Sequence, residues 1–263
     1  MLIKITNKHL ILLFSIFINI NQANAFEPPS YELDRFHFDE EISKKSTIQV
    51  NNPYGDVRIR PAPNDHLIIH GVYQKIGKNP AIPEMKISRS DKKIKFDFVY
   101  PKDNIPERVV DGRIDIVIII PESAFLDIKF ERGKMQSKKL INRLKVHTDA
   151  SNISIKTTAE VELYSRAGKL ELYLIKEKKD DKPRIKALKT SNGDIDINYH
   201  INTDIEFNIT TTASITSNDI KLLSSKISDN NKHKLSLGKA NDKFNIFSDT
   251  GNVRLINREF ITN

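Results

Sequence analysis

The chain contains no cysteine and no tryptophan, and its 263 residues include only nine glycines and three methionines. Without cysteine there can be no disulfide, no thiolate metal site, no cysteine nucleophile, no iron–sulfur ligation and no acylated cysteine. Without tryptophan, and with only seven tyrosines, the sequence gives no direct support to a lectin-like platform of exposed rings. Nine glycines are too few for a calcium-binding nonapeptide repeat, which needs paired glycines and an aspartate in every turn. Long apolar runs are also scarce. The run at 10–18 (LILLFSIFI) falls well short of the about 20 residues that a membrane-spanning helix requires. G-x-S-x-G, H-E-x-x-H, Walker-type and G-x-G-x-x-G patterns are all missing.

That apolar run follows Lys4 and Lys8 and precedes Ala23-Asn24-Ala25. A positive start, a short apolar core and a small-x-small site define a secretory signal peptide over 1–25, with cleavage expected between Ala25 and Phe26. The expected location is the periplasm or cell surface, with no transmembrane segment after cleavage. The formal net charge of +8 includes the two lysines of this segment. The remaining excess is mild for a chain of this length, reads as a lysine-rich surface, and argues against a nucleic-acid partner.

Residues 26–46 open on a proline-bearing stretch, FEPPS, and are expected to form an extended leader. From 47 to 263 the chain reads as one repetitive β domain, with 47–110 as a candidate N-terminal cap. Alternation of apolar and polar residues marks half-buried strands at Ile48/Val50, Val57/Ile59, Ile94/Phe96/Phe98, Ile114 to Ile120, Leu170/Leu172/Leu174 and Ile195/Ile197/Tyr199. Only 136–145 (QSKKLINRLK) has helix-compatible spacing.

A phrase recurs along the chain: a turn residue, a polar residue, then apolar-x-apolar. It appears as Gly55-Asp56-Val57-Arg58-Ile59, Gly168-Lys169-Leu170-Glu171-Leu172, Gly193-Asp194-Ile195-Asp196-Ile197 and Gly251-Asn252-Val253-Arg254-Leu255. Copies without glycine begin at Ser151 and Asn218, and Gly133 opens a partial one. A unit of about 17 to 18 residues, lengthened by insertions such as 176–183 (KEKKDDKP), accounts for the intervals. Glycine or asparagine would supply an unusual backbone at each corner, and stacked units would bury one continuous apolar column. The fold expected is therefore all-β, a repetitive β-solenoid with an irregular N-terminal β cap. A β-sandwich or meander built from serial hairpins is the alternative, because Asn192-Gly193 between alternating residues is also a hairpin signal.

The segments VNNPYGDVRIRP, IDIVIIIPESAFLDIKFERGKM, KTSNGDIDI and SDTGNVRL together resemble the bacterial DUF4097 family, β-strand-repeat envelope proteins that carry an adhesin label. The resemblance runs from about Ile48 to Leu255 and rests on the order of structural motifs. It implies a repetitive β fold in or on the cell envelope, and it carries over no catalytic residue. The chain departs from the family pattern at Ser151, at Asn218 and in its lysine-rich insertions.

Candidate chemistry is sparse. His66 and His70 lie four apart on one predicted strand, and read as solvated or hydrogen-bonded strand residues more than as metal ligands. Asp194 and Asp196 share one strand face at a spacing that invites comparison with a glycosidase pair, yet Asp194 suits a turn and Asp196 an outward face. Asp39-Glu40-Glu41 reads as a solvated run. No catalytic, cofactor-binding or metal-binding residue and no cofactor is assigned. The function expected is a non-enzymatic exported envelope protein, adhesin-like or scaffold, whose partner is an unknown envelope component or glycan. The alternative is a solenoid carbohydrate-active enzyme acting on envelope or extracellular polysaccharide.

Overall fold

Alternation of apolar and polar side chains builds the molecule. The computed structural model describes residues 31–76, 80–101, 112–175, 185–200, 204–238 and 242–258. Over these the protein is all-β, with nineteen strands in one hydrogen-bonded sheet system and a single five-residue helix among the described residues. In chain order come β1 (Tyr31–Glu41), β2 (Thr47–Asn51), β3 (Val57–Pro61), β4 (His66–Ile76), β5 (Glu84–Ser90), β6 (Lys93–Val99) and β7 (Gly112–Ile120). Then follow β8 (Phe125–Ser137), β9 (Leu144–Thr157), β10 (Val161–Ser165), β11 (Leu170–Leu174), β12 (Ile185–Thr190) and β13 (Ile195–Tyr199). The last group is β14 (Ile205–Thr211), β15 (Ile215–Ser217), α1 (Ile220–Ser224), β16 (Ile227–Asp229), β17 (Lys232–Leu237), β18 (Asp242–Ser248) and β19 (Val253–Asn257).

The strands sort into two ladders whose middle portions are parallel. One ladder runs β6, β2, first half of β8, first half of β9, β10, β12, β18, β14. The other runs β7, β3, second half of β8, second half of β9, β11, β13, β19, β15. Each rung therefore gives one strand to each ladder and turns a corner between them. Antiparallel pairing is confined to the ends: β5 on β6 and β1–β4–β7 at one, β14–β17–β16 at the other. Stacked units and hairpins are thus both present, in different places. The helix-compatible stretch 136–145 is spent on the end of β8, a turn and the start of β9. Its apolar residues follow the ladder, with Leu140 and Leu144 both buried.

Inward-facing side chains of equivalent rungs lie in register. Met135, Ile153, Leu170, Ile195 and Val253 form one buried row, and Ile155, Leu172, Ile197 and Leu255 the next. Each such side chain contributes about 1.5–3 kcal/mol on burial, and no rung could bury its face alone. On β7 the even positions Ile114 to Ile120 point into this core, while Asp115, Val117 and Ile119 are half-buried on the outside.

The corners repeat at constant length. Four residues separate Asn52 from Val57, Phe130 from Met135, Thr148 from Ile153, Ser165 from Leu170, Thr190 from Ile195 and Ser248 from Val253. The polar residues that open these corners are buried, and they serve the backbone. The Gly193 and Gly251 N–H groups donate to Thr190 Oγ1 and Ser248 Oγ, each at 3.0 Å. Ser165 Oγ donates to Ser151 O at 3.2 Å, and Asn52 Nδ2 to Ile114 O at 2.8 Å.

The need for glycine at a corner has two sources. Gly55, Gly133 and Gly168 adopt the expected unusual backbone, with φ of +133°, +146° and +155°, but Gly193 and Gly251 do not. What they share is proximity: a Cβ on Gly193 would overlap Gly168 O, and one on Gly251 would overlap Gly193 O. Stacking at strand spacing presses each corner onto the carbonyl of the one below. Ser151 nonetheless fits, buried over Gly133 with Oγ donating to Glu131 O at 3.2 Å, so the ladder continues there without a break.

Asn218 is not a corner of the stack. Ser217 ends β15, and Asp219 caps α1, its carboxylate accepting from the Lys221 and Leu222 N–H groups, so Ile220-Lys221-Leu222 is helical. The corner of that rung lies at 212–214 and is one residue shorter than the others.

Candidate functional site

The outward face of the ladder that contains β2 changes character along its length. On β6, β2 and β8 it is a polar network: Gln49 Nε2 donates to Asp127 Oδ2 at 2.8 Å, and Asn51 Nδ2 reaches Asp97 Oδ1 at 3.4 Å. Lys95 Nζ pairs with Asp97 Oδ2 at 2.8 Å. From β9 onward the same row becomes His147, Tyr164, Lys189, Phe247 and Thr210, one residue per rung. The His147 and Tyr164 rings approach to 4.3 Å between centroids, and Lys189 Nζ lies 6.0 Å from the Tyr164 ring and 5.1 Å from that of Phe247. The ammonium thus bridges two aromatic faces, a favourable electrostatic placement.

Beside this row runs a second one, Lys145, Glu162, Ala187, Asn245 and Asn208. The small side chain of Ala187 leaves a depression, and the two rows enclose an open groove of about 790 Å3 that crosses five rungs. Its lining includes one carboxylate among the described residues, Glu162, and that is held by Lys145 Nζ at 3.2 Å and Arg143 Nη2 at 3.5 Å. Flat rings, amides, a hydroxyl and the Lys189 ammonium suit the grip of an extended, partly polar ligand.

The groove joins residues that were not singled out in the sequence. Tyr164, Lys189 and Phe247 are separated by an insertion and by a rung taken out of chain order. The available signal was that each occupies the outward position of an alternating strand and that one rung offers alanine there.

The acidic pair fares differently. Asp194 sits at a corner, where Oδ1 accepts from the Asn252 N–H at 2.9 Å. Asp196 is buried and accepts from Arg254 Nε and Nη2 at 2.6 and 2.8 Å, with Lys169 Nζ at 2.7 Å. Hydrogen bonding to Asp196 raises the pKa of both cations, so the carboxylate is fully committed to charge pairing. Neither group is presented as a general acid or base.

The two histidines of β4 are also parted. His66 Nδ1 meets Asp39 Oδ1 at 2.8 Å, and this hydrogen bond raises its pKa. His70 instead faces His37 directly across the β1–β4 pair. Asp39 is thereby a partner of His66, Glu40 Oε2 accepts from Arg89 Nη2 at 2.6 Å, and Glu41 is exposed opposite His66. Among the described residues no group of three or more histidine or acidic side chains is arranged to hold a metal ion, and no helix is long and apolar enough to cross a membrane.

Three solved structures resemble the chain in backbone course. A "putative cell adhesion protein" from Clostridium sporogenes ATCC 15579 is 13% identical with a TM-score of 0.49, covering 87% of this chain and 99% of its own. A "putative adhesin" from Bacteroides fragilis NCTC 9343 is 11% identical with a TM-score of 0.37, covering 84% of this chain and 97% of its own. Another "putative adhesin", from Parabacteroides merdae ATCC 43184, is 10% identical with a TM-score of 0.32, covering 84% of this chain and 96% of its own. No family model matches the sequence, and neither does any curated protein.

Proposed function

We propose that the protein is a non-enzymatic, exported envelope component, an adhesin-like binding module on a β-solenoid scaffold. Export rests on the signal-peptide pattern of 1–25, and the proposed binding domain takes in β1, the strand within the expected leader 26–46 that pairs with β4. The observation that carries the reading is the groove, in which His147, Tyr164, Lys189 and Phe247 align across successive rungs. An envelope glycan, with apolar sugar faces and many hydroxyls, is the ligand class that such a row of rings, amides and cations would hold. The engagement of Asp194 and Asp196 with their neighbours favours binding over hydrolysis.

The test is retention of the purified chain on immobilised envelope polysaccharide. The double variant Tyr164→Ala, Phe247→Ala should bind at least tenfold more weakly while keeping the wild-type circular dichroism spectrum. Equal retention of the variant would overturn the assignment of the groove, and release of reducing ends from the polysaccharide would overturn the non-enzymatic reading.

A further inference from the structure

The β1–β4 pair lies apart from the groove and holds a feature that the proposed function does not use. His37 and His70 are direct cross-strand neighbours in antiparallel register, both exposed, with Nδ1 atoms 3.2 Å apart and ring centroids 4.8 Å apart. With zinc-type metal–nitrogen bonds of 2.0–2.1 Å, two imidazole ligands on one ion stand about 2.9–3.3 Å apart, for bond angles between square and tetrahedral. The observed separation falls in that interval.

The platform beneath is rigid. In the adjacent register position Phe36 faces Gly71, and its ring occupies the space where a Cβ of Gly71 would stand. That ring packs edge-on against Tyr73 at 5.6 Å and against Phe98 of β6 at 5.7 Å. β4 is itself pinned on its other edge by β7. The backbone at both histidines is therefore fixed from below, and only ring torsions remain free, the preorganisation that a chelating pair requires. Charge is not what marks the site: on the β1 sequence YELDRFHFDEE, Glu32 and Asp34 pair with Lys75, Asp39 with His66 and Glu40 with Arg89, and the site rests on the two imidazoles.

The geometry points to a divalent transition-metal site on the outer face of the β1–β4 pair, with His37 and His70 as its two protein ligands and solvent completing the coordination. Neutral imidazole donors suit copper(II), nickel(II) and zinc(II), and affinity should follow copper above nickel and zinc. His66 is not a ligand of this site, because it is paired with Asp39.

The experiment is a titration of the full chain with each metal salt, read by isothermal calorimetry and by the midpoint of urea unfolding. Wild-type protein should gain a metal-dependent rise in midpoint that a chelator reverses. His37→Gln and His70→Gln should each weaken binding at least tenfold, whereas His66→Gln should leave it within twofold. Variant folding is checked by an unchanged metal-free midpoint. If a glutamine variant fails that check, broadening of the His37 and His70 ring resonances by sub-stoichiometric copper(II) in wild-type protein decides instead. A wild-type midpoint indifferent to all three metals would overturn the site. So would binding that survives the double His37→Gln, His70→Gln variant.

Discussion

The two ends of the stack are built alike in path and unlike in strength. At both, the chain lays down its rungs out of order. The first rung in sequence, β2–β3, lies inside the later β6–β7, between it and β8. The last rung in sequence, β18–β19, lies inside the earlier β14–β15, between it and β12–β13. Each terminal rung is thus clasped on both edges, so neither end of the repeat frays by losing its last strand.

The closures beyond those rungs differ. The N-terminal one uses the eleven-residue strands β1 and β4 and an aromatic cluster of Phe36, Phe38, Tyr73, Phe96 and Phe98. The C-terminal one uses the six-residue β17 on β14, the three-residue strands β15 and β16 and the short α1, leaving Ile220 82% and Ile227 68% exposed. Specific polar pairs compensate at the out-of-order junction beside it. Lys186, 1% exposed on β12, reaches Asp242 Oδ2 at 3.4 Å and the Phe244 ring at 5.1 Å, both on β18. Asp196 of β13 holds Arg254 of β19. Apolar rows would accept a slipped partner; these pairs do not.

The largest effect should come from removing the clasped rung. Ending the chain after residue 241 deletes β18 and β19 and leaves the facing edges of β12–β13 and β14–β15 unpaired. Loss of the cooperative urea transition and aggregation by light scattering are expected. By contrast Ile227→Lys, on the exposed outer layer of the same end, should change stability by no more than about 0.5 kcal/mol. A truncated chain that still unfolds cooperatively would mean that the clasp is dispensable.

Next in size is the corner stack. Gly251→Val places a branched side chain against the Gly193 carbonyl, which cannot move away as a side chain would. A cost of about 1–3 kcal/mol is expected from the urea midpoint, toward the upper end of that range. Ser151→Gly, in the corner that already tolerates a side chain, serves as the comparison and should cost about 1 kcal/mol for the lost bond to Glu131 O.

These corners also show how far the sequence could be read. The alternating strands were legible because inward and outward positions differ in polarity at every second residue, and the same register survives in the buried rows. The recurring phrase was legible from its glycine onward. Its opening residue was not, although Asn52, Thr148, Ser165, Thr190 and Ser248 each stand three before the corner position. The side chains of Asn52, Thr148, Ser165 and Ser248 bond to a neighbouring rung's backbone, a partner that no local pattern names. Rung order was hidden for a similar reason. The interval between Gly193 and Gly251 contains a complete rung, β14–β15, and spacing along a chain does not distinguish an insertion from a strand placed elsewhere. Asn218 misled because Ser217-Asn218-Asp219 is equally a helix cap. The groove was out of reach on the same grounds, since Tyr164 and Phe247 are brought into one row only by that reordering.

A smaller effect tests the charged junction. Asp196→Asn removes the negative charge from the Arg254 and Lys169 pairs at the one place where β19 must find β13. Bonds to charged groups contribute about 1.5–3 kcal/mol, and the exposure of Arg254 sets this loss at the low end of that range. Refolding should slow more than unfolding quickens if the pair guides insertion of the last rung; unchanged refolding with faster unfolding would assign it to stability alone.

The smallest effect separates the two ends by pH. His66, which bridges β4 to β1, has its pKa raised, first by the hydrogen bond to Asp39 and further by the charges of Asp39, Glu41 and Asp65. A raised folded pKa gives stability that is complete below the unfolded value near 6.5 and is lost as pH rises through the folded value. Glu206, which ties β14 to β17, has its pKa lowered, first by the hydrogen bond from Lys234. Its contribution is present above the unfolded value near 4.5 and is lost as pH falls through the folded one. Local opening should therefore increase at β1 on the alkaline side of neutrality and at β17 on the acid side. Hydrogen exchange corrected for its intrinsic pH dependence can resolve the two, and the ordering should invert between pH 4 and pH 8. His66→Gln should abolish the alkaline trend at β1 and leave β17 unaltered, and Lys234→Gln should do the reverse. A single trend common to both ends would show instead that the stack responds to pH as one body.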